Sequence, residues 1–182
     1  FDGAGALFAA GCDRHDAPGV TRRDRIPAVS QAPSATNQAA SDFIGKAVGD
    51  DLYEYQAAGI AAVRAHDPAV RTLAAATAKA SLASRTELVQ SVAVSGQRVT
   101  IPSKLTDHLQ SMLDQLHRGT ARDFDKTYIE QQIEADEDAL SLMSAYARSG
   151  GAPSIEAAAA ALAPARQDRL DKARSIQDEL NK

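Results

Sequence analysis

A chain of 182 residues is long enough for one domain with a substantial core. It is 44% hydrophobic but only 4% aromatic, with no Trp, and much of the apolar content is Ala, a composition that favours closely packed helices over sheet. A net charge of −4 and a pI near 5.5 argue against a nucleic-acid partner, and the single cysteine excludes an internal disulfide and a zinc site of the multi-cysteine type.

No apolar run approaches the roughly 20 residues needed to cross a bilayer. Near the start, Leu7-Phe8-Ala9-Ala10-Gly11-Cys12 resembles the end of a bacterial lipoprotein signal, in which small residues precede a cysteine that becomes the acylated N-terminus. On this reading residues 1–11 are the remnant of a signal, and a lipid on Cys12 holds the protein to a membrane from the periplasmic or outer side. Asp2 and Gly3 suit an apolar signal core poorly, and a lone thiol in a tail is the competing reading. Residues 12–40 are polar, contain Pro and lack a sustained period, and so read as a flexible linker ahead of a domain over residues 41–182.

Four long helices are expected in that domain. The first runs from Ser41, a candidate N-cap, to about His66. Asp67-Pro68 then combines a capping Asp with Pro at the first helical position, and the second helix runs to about Val94, before Gly96. Within the longer connection Gln97 to Gly119, Pro102-Ser103 is expected to cap a short extra helix carrying Leu105, Leu109, Met112, Leu113 and Leu116. Thr120-Ala121-Arg122-Asp123 resembles a capping box that opens the third long helix, which stops at Ser149-Gly150-Gly151. Pro153-Ser154 opens the fourth, with Pro164 expected to kink it. Only Arg98-Val99-Thr100-Ile101 has any strand character, and it is too short to matter. Short turns after the first and third long helices force antiparallel neighbours, while the second connection can cross the assembly or lie over one end. The expected fold is an all-α four-helix bundle with a short extra helix in the second connection.

Two apolar stripes are interrupted by charges. Ile129, Ile133, Asp136, Leu140, Met143 and Ala147 follow the steps of one helix face, and Ile155, Leu162, Arg169 and Ile176 recur every seven residues on another. A charge inside a bundle is costly unless paired or liganded, so Asp136 and Arg169 are expected to meet mid-bundle. Ser81 lies midway along the second helix, at matching height for a rise of about 1.5 Å per residue. Glu54 lies midway along the first, either on the stripe Phe43, Ala47, Ala58, Ala61 or at the edge of Ile44, Val48, Tyr55, Gly59. Ser81 and Glu54 are the candidates to complete the hydrogen bonding of this layer.

The order and spacing of these segments resemble a known family, the exported bacterial ferritin-like bundles grouped as domain of unknown function 4142. The resemblance is carried by Phe43, Leu52-Tyr53-Glu54, Asp67-Pro68-Ala69-Val70-Arg71, Phe124-Asp125-Lys126-Thr127-Tyr128-Ile129, and Leu162 through Pro164 to Leu170 and Ala173, over residues 41–177. It implies a ferritin-like fold and export to the periplasm. Family members carry Asp-His pairs in the second and third long helices and a His in the fourth. Here those positions hold Ala80-Ser81, Ala135-Asp136 and Arg169, so none of the three imidazoles is available.

A ferritin-like diiron site would need Glu-x-x-His motifs facing inward, and the chain has none; Asp114-Gln115-Leu116-His117 is the nearest spacing. The acidic run Glu134 to Asp138 points around most of a helix and reads as a solvated face. His15, His66, His108 and His117 do not cluster, and Gly150-Gly151 follows a helix rather than a strand, unlike a phosphate loop. No metal, cofactor or catalytic residue is therefore assigned. Three readings of the Asp136–Arg169 layer stay open: an ion pair that fixes helix register, a pocket in which Arg169 holds a small carboxylate or phosphate, and the remnant of a lost metal site. The expected role is a non-enzymatic, exported module of the cell envelope, interaction or stress-associated, whose partner is an envelope protein or small ligand. The alternative is a small-molecule or metal-binding ferritin-like bundle.

Overall fold

A computed structural model describes residues 33–182, and the chain is all-helical there: α1 (Ala35–Arg64), α2 (Pro68–Ser95), α3 (Asp107–Arg118), α4 (Phe124–Ser149) and α5 (Pro153–Leu180). Cys12, the expected signal remnant and the linker as far as residue 32 lie outside the described residues. Among the described residues there is no strand, and no helix is long and apolar enough to cross a membrane.

Capping chemistry sets most of the boundaries. α1 begins at Ala35 rather than Ser41, because the Ser34 side chain accepts from the Asn37 amide and so caps the helix. Ser41 instead bonds back to the Asn37 carbonyl within the helix, and α1 begins inside the stretch read as linker. Asp67 caps α2 through the amides of Ala69 and Val70, with Pro68 at the first helical position, and Gly96 ends it at a φ of 70°. The extra helix starts later than expected: Thr106, not Ser103, accepts from the Leu109 amide. The predicted capping box before α4 does not form; the Thr120 hydroxyl donates to the Asp123 carboxylate, and Asp123 makes no side-chain cap bond. α5 continues through Pro164 as one helix.

Each long helix has two long neighbours, in the ring α1–α2–α5–α4, while α3 packs on α1 and α4. Two apolar clusters fill this ring. One gathers Phe43, Ile44 and Val48 of α1, Leu88 of α2, Met143 and Tyr146 of α4, and Ile155, Ala158 and Ala159 of α5. The other gathers Tyr53, Ala57 and Ala61 of α1, Val70 and Leu73 of α2, Phe124, Tyr128 and Ile129 of α4, and Ala173 of α5, with Met112, Leu113 and Leu116 of α3. α1 and α5 run from the first cluster to the second, and α2 and α4 run back, so every ring neighbour is antiparallel and each diagonal pair is parallel. The connection from α2 to α4 must therefore cross the length of the assembly. It does so with Val99 and Ile101 against the first cluster and α3 against the second.

Side chains pin the crossing at both ends. Arg98 exchanges two hydrogen bonds with the Asn37 side chain at the start of α1, at 2.7 and 3.2 Å. At the far end the Arg64 guanidinium donates to the carbonyls of Leu116, His117 and Gly119, satisfying the C-terminus of α3, and lies 5.0 Å from the centre of the Phe124 ring. Asp125 accepts from the amides of His66 and Asp67, tying the α1–α2 turn to α4. At the α4–α5 turn, Gly150 is required by close approach: a Cβ there would lie 2.4 Å from the Tyr146 ring, which stacks on Phe43.

Candidate functional site

Between the two apolar clusters lies a buried polar layer. α1 supplies Asp51 and Glu54, α4 supplies Asp136, and α5 supplies Arg166 and Arg169. The spacing of three in Asp51/Glu54 and in Arg166/Arg169 puts each pair on one face of its helix. α2 adds the hydroxyls of Thr77, Ser81 and Ser84 at steps of four and three.

The Arg166 guanidinium donates to Asp51 Oδ1 and Glu54 Oε1 on α1, and to Asp136 Oδ1 on α4 at 3.3 Å. Arg169 donates through Nη2 to Asp136 Oδ1 at 2.5 Å and to both Glu54 oxygens at 3.1 and 3.2 Å, and through Nε to Asp136 Oδ2 at 3.4 Å. Ser81 donates to Glu54 Oε2 at 2.8 Å. α1 and α5 are diagonal in the ring. With neighbouring axes 8–10 Å apart, a diagonal spans about 11–14 Å, which short apolar side chains do not bridge. Arginine reaching from α5 to carboxylates on α1 does.

Burial dominates the electrostatics. It raises the Asp51 carboxyl to about 7, with Arg166 opposing, Glu54 adding to the rise, and the nearby Ser84 hydroxyl favouring the carboxylate without a hydrogen bond of ordinary geometry. Asp136 is also raised, first by burial and then by Glu54, against the pull of Arg169 and Arg166. For Arg166, burial works against the charge, but Glu54, Asp51 and Asp136 outweigh it and push its pKa up. Half-buried Asp50, next along α1, is lifted to about 6 by burial, with Arg166 opposing.

Glu54, Ser81, Asp136 and Arg169, the four residues singled out from sequence, come together in this layer. The ambiguity over Glu54 resolves onto the Phe43, Ala47, Ala58, Ala61 face, and Tyr55 points outward. Asp51 and Arg166 escaped the sequence reading although each stands three residues from a residue that was chosen. The apolar stripe misled: the inner face of α5 is formed by buried Ala158, Ala159, Arg166, Leu170 and Ala173, whereas Leu162 and Ile176 are only partly buried.

Glu134, Glu137 and Asp138 are exposed, and among the described residues no group of three or more His, Cys, Asp or Glu side chains is placed to hold a metal ion. The three buried carboxylates converge on guanidinium groups instead. Arg169, considered as an anion receptor, already donates to carboxylates on two helices. Surface grooves of about 540 and 500 Å³ are lined by Lys46 and Asp50, with His108 or Asp138, rather than by the ion-paired side chains. The arrangement joins helices: even the hydroxyl–carboxylate contact of Ser81 with Glu54 is buried, and Glu54 also accepts from both guanidiniums.

Comparison with curated proteins and with solved structures finds no match. A family profile covers residues 26–176, most of the chain, so this protein belongs to the family described as domain of unknown function (DUF4142).

Proposed function

We propose that this chain is a non-enzymatic module of the bacterial cell envelope, a ferritin-like four-helix bundle whose polar layer sets helix register rather than carrying out chemistry. The observation that carries this reading is the engagement of both guanidiniums by carboxylates of the same chain, on α1 and α4 together. Buried ion pairs add little net stability over apolar packing, but they discriminate between registers, because a displaced charge is left unpaired. The up-down, crossover, down-up path of the four long helices supports the ferritin-like assignment. Exported and held by a lipid on Cys12, the domain would present its outer surface to an envelope protein or a small ligand.

Metal analysis by mass spectrometry on protein purified from its native source without an affinity tag tests the central claim. Metal far below one atom per chain is expected. Stoichiometric iron, manganese or zinc would overturn the register reading in favour of the metal-binding alternative. Anchoring is tested separately: Cys12→Ala should move the protein from the membrane fraction to the soluble fraction, and an unchanged distribution would remove the lipid anchor from the proposal.

A further inference from the structure

The layer contains three carboxylates and two guanidiniums, so it is one positive charge short when all five groups are ionised. A net charge sealed inside a helical core is costly, and taking up a proton is the ordinary escape for a buried carboxyl. Hydrogen bonding singles out which carboxyl. Both oxygens of Glu54 accept, from Arg166, Arg169 and Ser81. Both oxygens of Asp136 accept, from Arg166 and Arg169. Asp51 accepts through Oδ1 alone, while its Oδ2 and the Ser84 hydroxyl have no hydrogen-bond partner.

We propose that the buried layer is a proton-binding site, holding one proton on Asp51 Oδ2 in mildly acidic solution and releasing it as the medium passes through neutrality. The bound proton makes the layer electrically neutral and turns an idle acceptor into a donor beside Ser84. Its release breaks the Oδ2–H bond, passes the proton to solvent and leaves the buried layer with one negative charge uncompensated. The groups acting on Asp51 are Glu54 on its own helix, the Ser84 hydroxyl on α2, and Arg166 and Arg169 on α5, while Asp136 on α4 and Asp50 on α1 act on the same Arg166 and Glu54. α3, packed on α1, brings His108 into the groove that Asp50 lines. A role in fixing register does not require this proton, so the proposal goes beyond that reading and stands or falls separately.

The sign of the pH effect follows from the raised carboxyl. Burial holds Asp51 at about 7, against an ordinary value of 3.8. Between those limits the folded chain keeps a proton that the unfolded chain has lost. Each pH unit upward therefore lowers the folding constant about tenfold through this one group, and the loss stops above the folded value.

Carbon-13 NMR of the side-chain carboxyls, assigned by through-bond correlation in the full chain and titrated from acid to alkaline pH, tests the proposal directly. The Asp51 carboxyl carbon should titrate near neutral pH, and Asp50→Asn should leave that midpoint largely in place. An Asp51 carboxyl already ionised in mildly acidic solution would overturn the proposal. Urea unfolding at pH 5 and pH 8 gives a second reading. The folding constant of the wild type should fall more than tenfold further than that of Asp51→Asn, and equal falls would also overturn it. If Asp51→Asn does not fold, the wild-type titration decides.

Discussion

The polar layer and the apolar clusters on either side of it are built from the same helices but join them differently. In the clusters, contact runs between ring neighbours and leans on small side chains: Ala57, Ala58, Ala61, Ala74 and Ala173 on one side, Ala40, Ala47, Ala158 and Ala159 on the other. Such surfaces bring helices close, but one Ala resembles the next, so they discriminate poorly between neighbouring registers. In the layer, contact runs across the diagonal, through guanidiniums that bond only when α1, α4 and α5 are at matching heights. The clusters supply most of the driving force, at about 25 cal/mol per Å² of apolar surface buried, and the layer specifies the arrangement.

The largest effect that would break this comparison is the loss of one guanidinium. Arg166 is 1% exposed and serves three carboxylates, whereas Arg169 is 6% exposed and serves two. Arg166→Ala should cost on the order of 4 kcal/mol and Arg169→Ala on the order of 3, both by urea denaturation, because each removes one of the two positive charges that compensate three buried carboxylates. Near-wild-type stability of either variant would show that the layer is hydrated rather than sealed. Ile155→Ala, in the first apolar cluster, should cost about 3 kcal/mol through lost burial and a cavity. The two kinds of loss separate in combination. Replacing Asp136 and Arg169 together, by Leu and Met, should recover much of what Arg169→Ala loses, since no charge is then stranded between α4 and α5. A double replacement as damaging as the sum of the single changes would mean that Asp136 and Arg169 are not coupled, and would remove their pairing as a link between α4 and α5.

Helix number, helix order and a charged layer at mid-height were legible in the sequence because they rest on local signals: Asp67-Pro68, Gly96, Gly150-Gly151, and charges at Asp136 and Arg169 where apolar residues were due. Two things were not. Ser34 was missed as a cap because Ser41 offers the same chemistry, and only the folded chain shows Ser41 bonding back to Asn37. Asp51 and Arg166 were missed because both stand in polar-looking neighbourhoods, Gly49-Asp50-Asp51 and Arg166-Gln167-Asp168-Arg169, where an exposed face is the ordinary expectation. Their burial depends on the diagonal reach between α1 and α5, a non-local property that no single-helix periodicity encodes. The direction of the long connection was similarly undetermined, since its length permits crossing or capping. The two clusters, traversed in the same direction by α2 and α4, settle it as crossing.

A smaller prediction tests whether burial, rather than charge pairing as such, distinguishes the layer. Arg174 of α5 donates to Glu137 of α4 at 2.6 Å, so it links the same two helices as Arg169 and Asp136, and Glu137 is the next residue along α4. Both side chains are about half exposed, at 50% and 49%, so water solvates either charge when the other is removed. Arg174→Ala should therefore cost less than about 1 kcal/mol, a loss that raised salt diminishes further. Arg169→Ala should keep most of its effect in the same salt, because mobile ions do not reach a sealed layer. Equal losses at the two positions, or equal sensitivity to salt, would remove the distinction between the interior and the surface of the α4–α5 contact. Helix register would then rest on Arg166 and the diagonal to α1 alone.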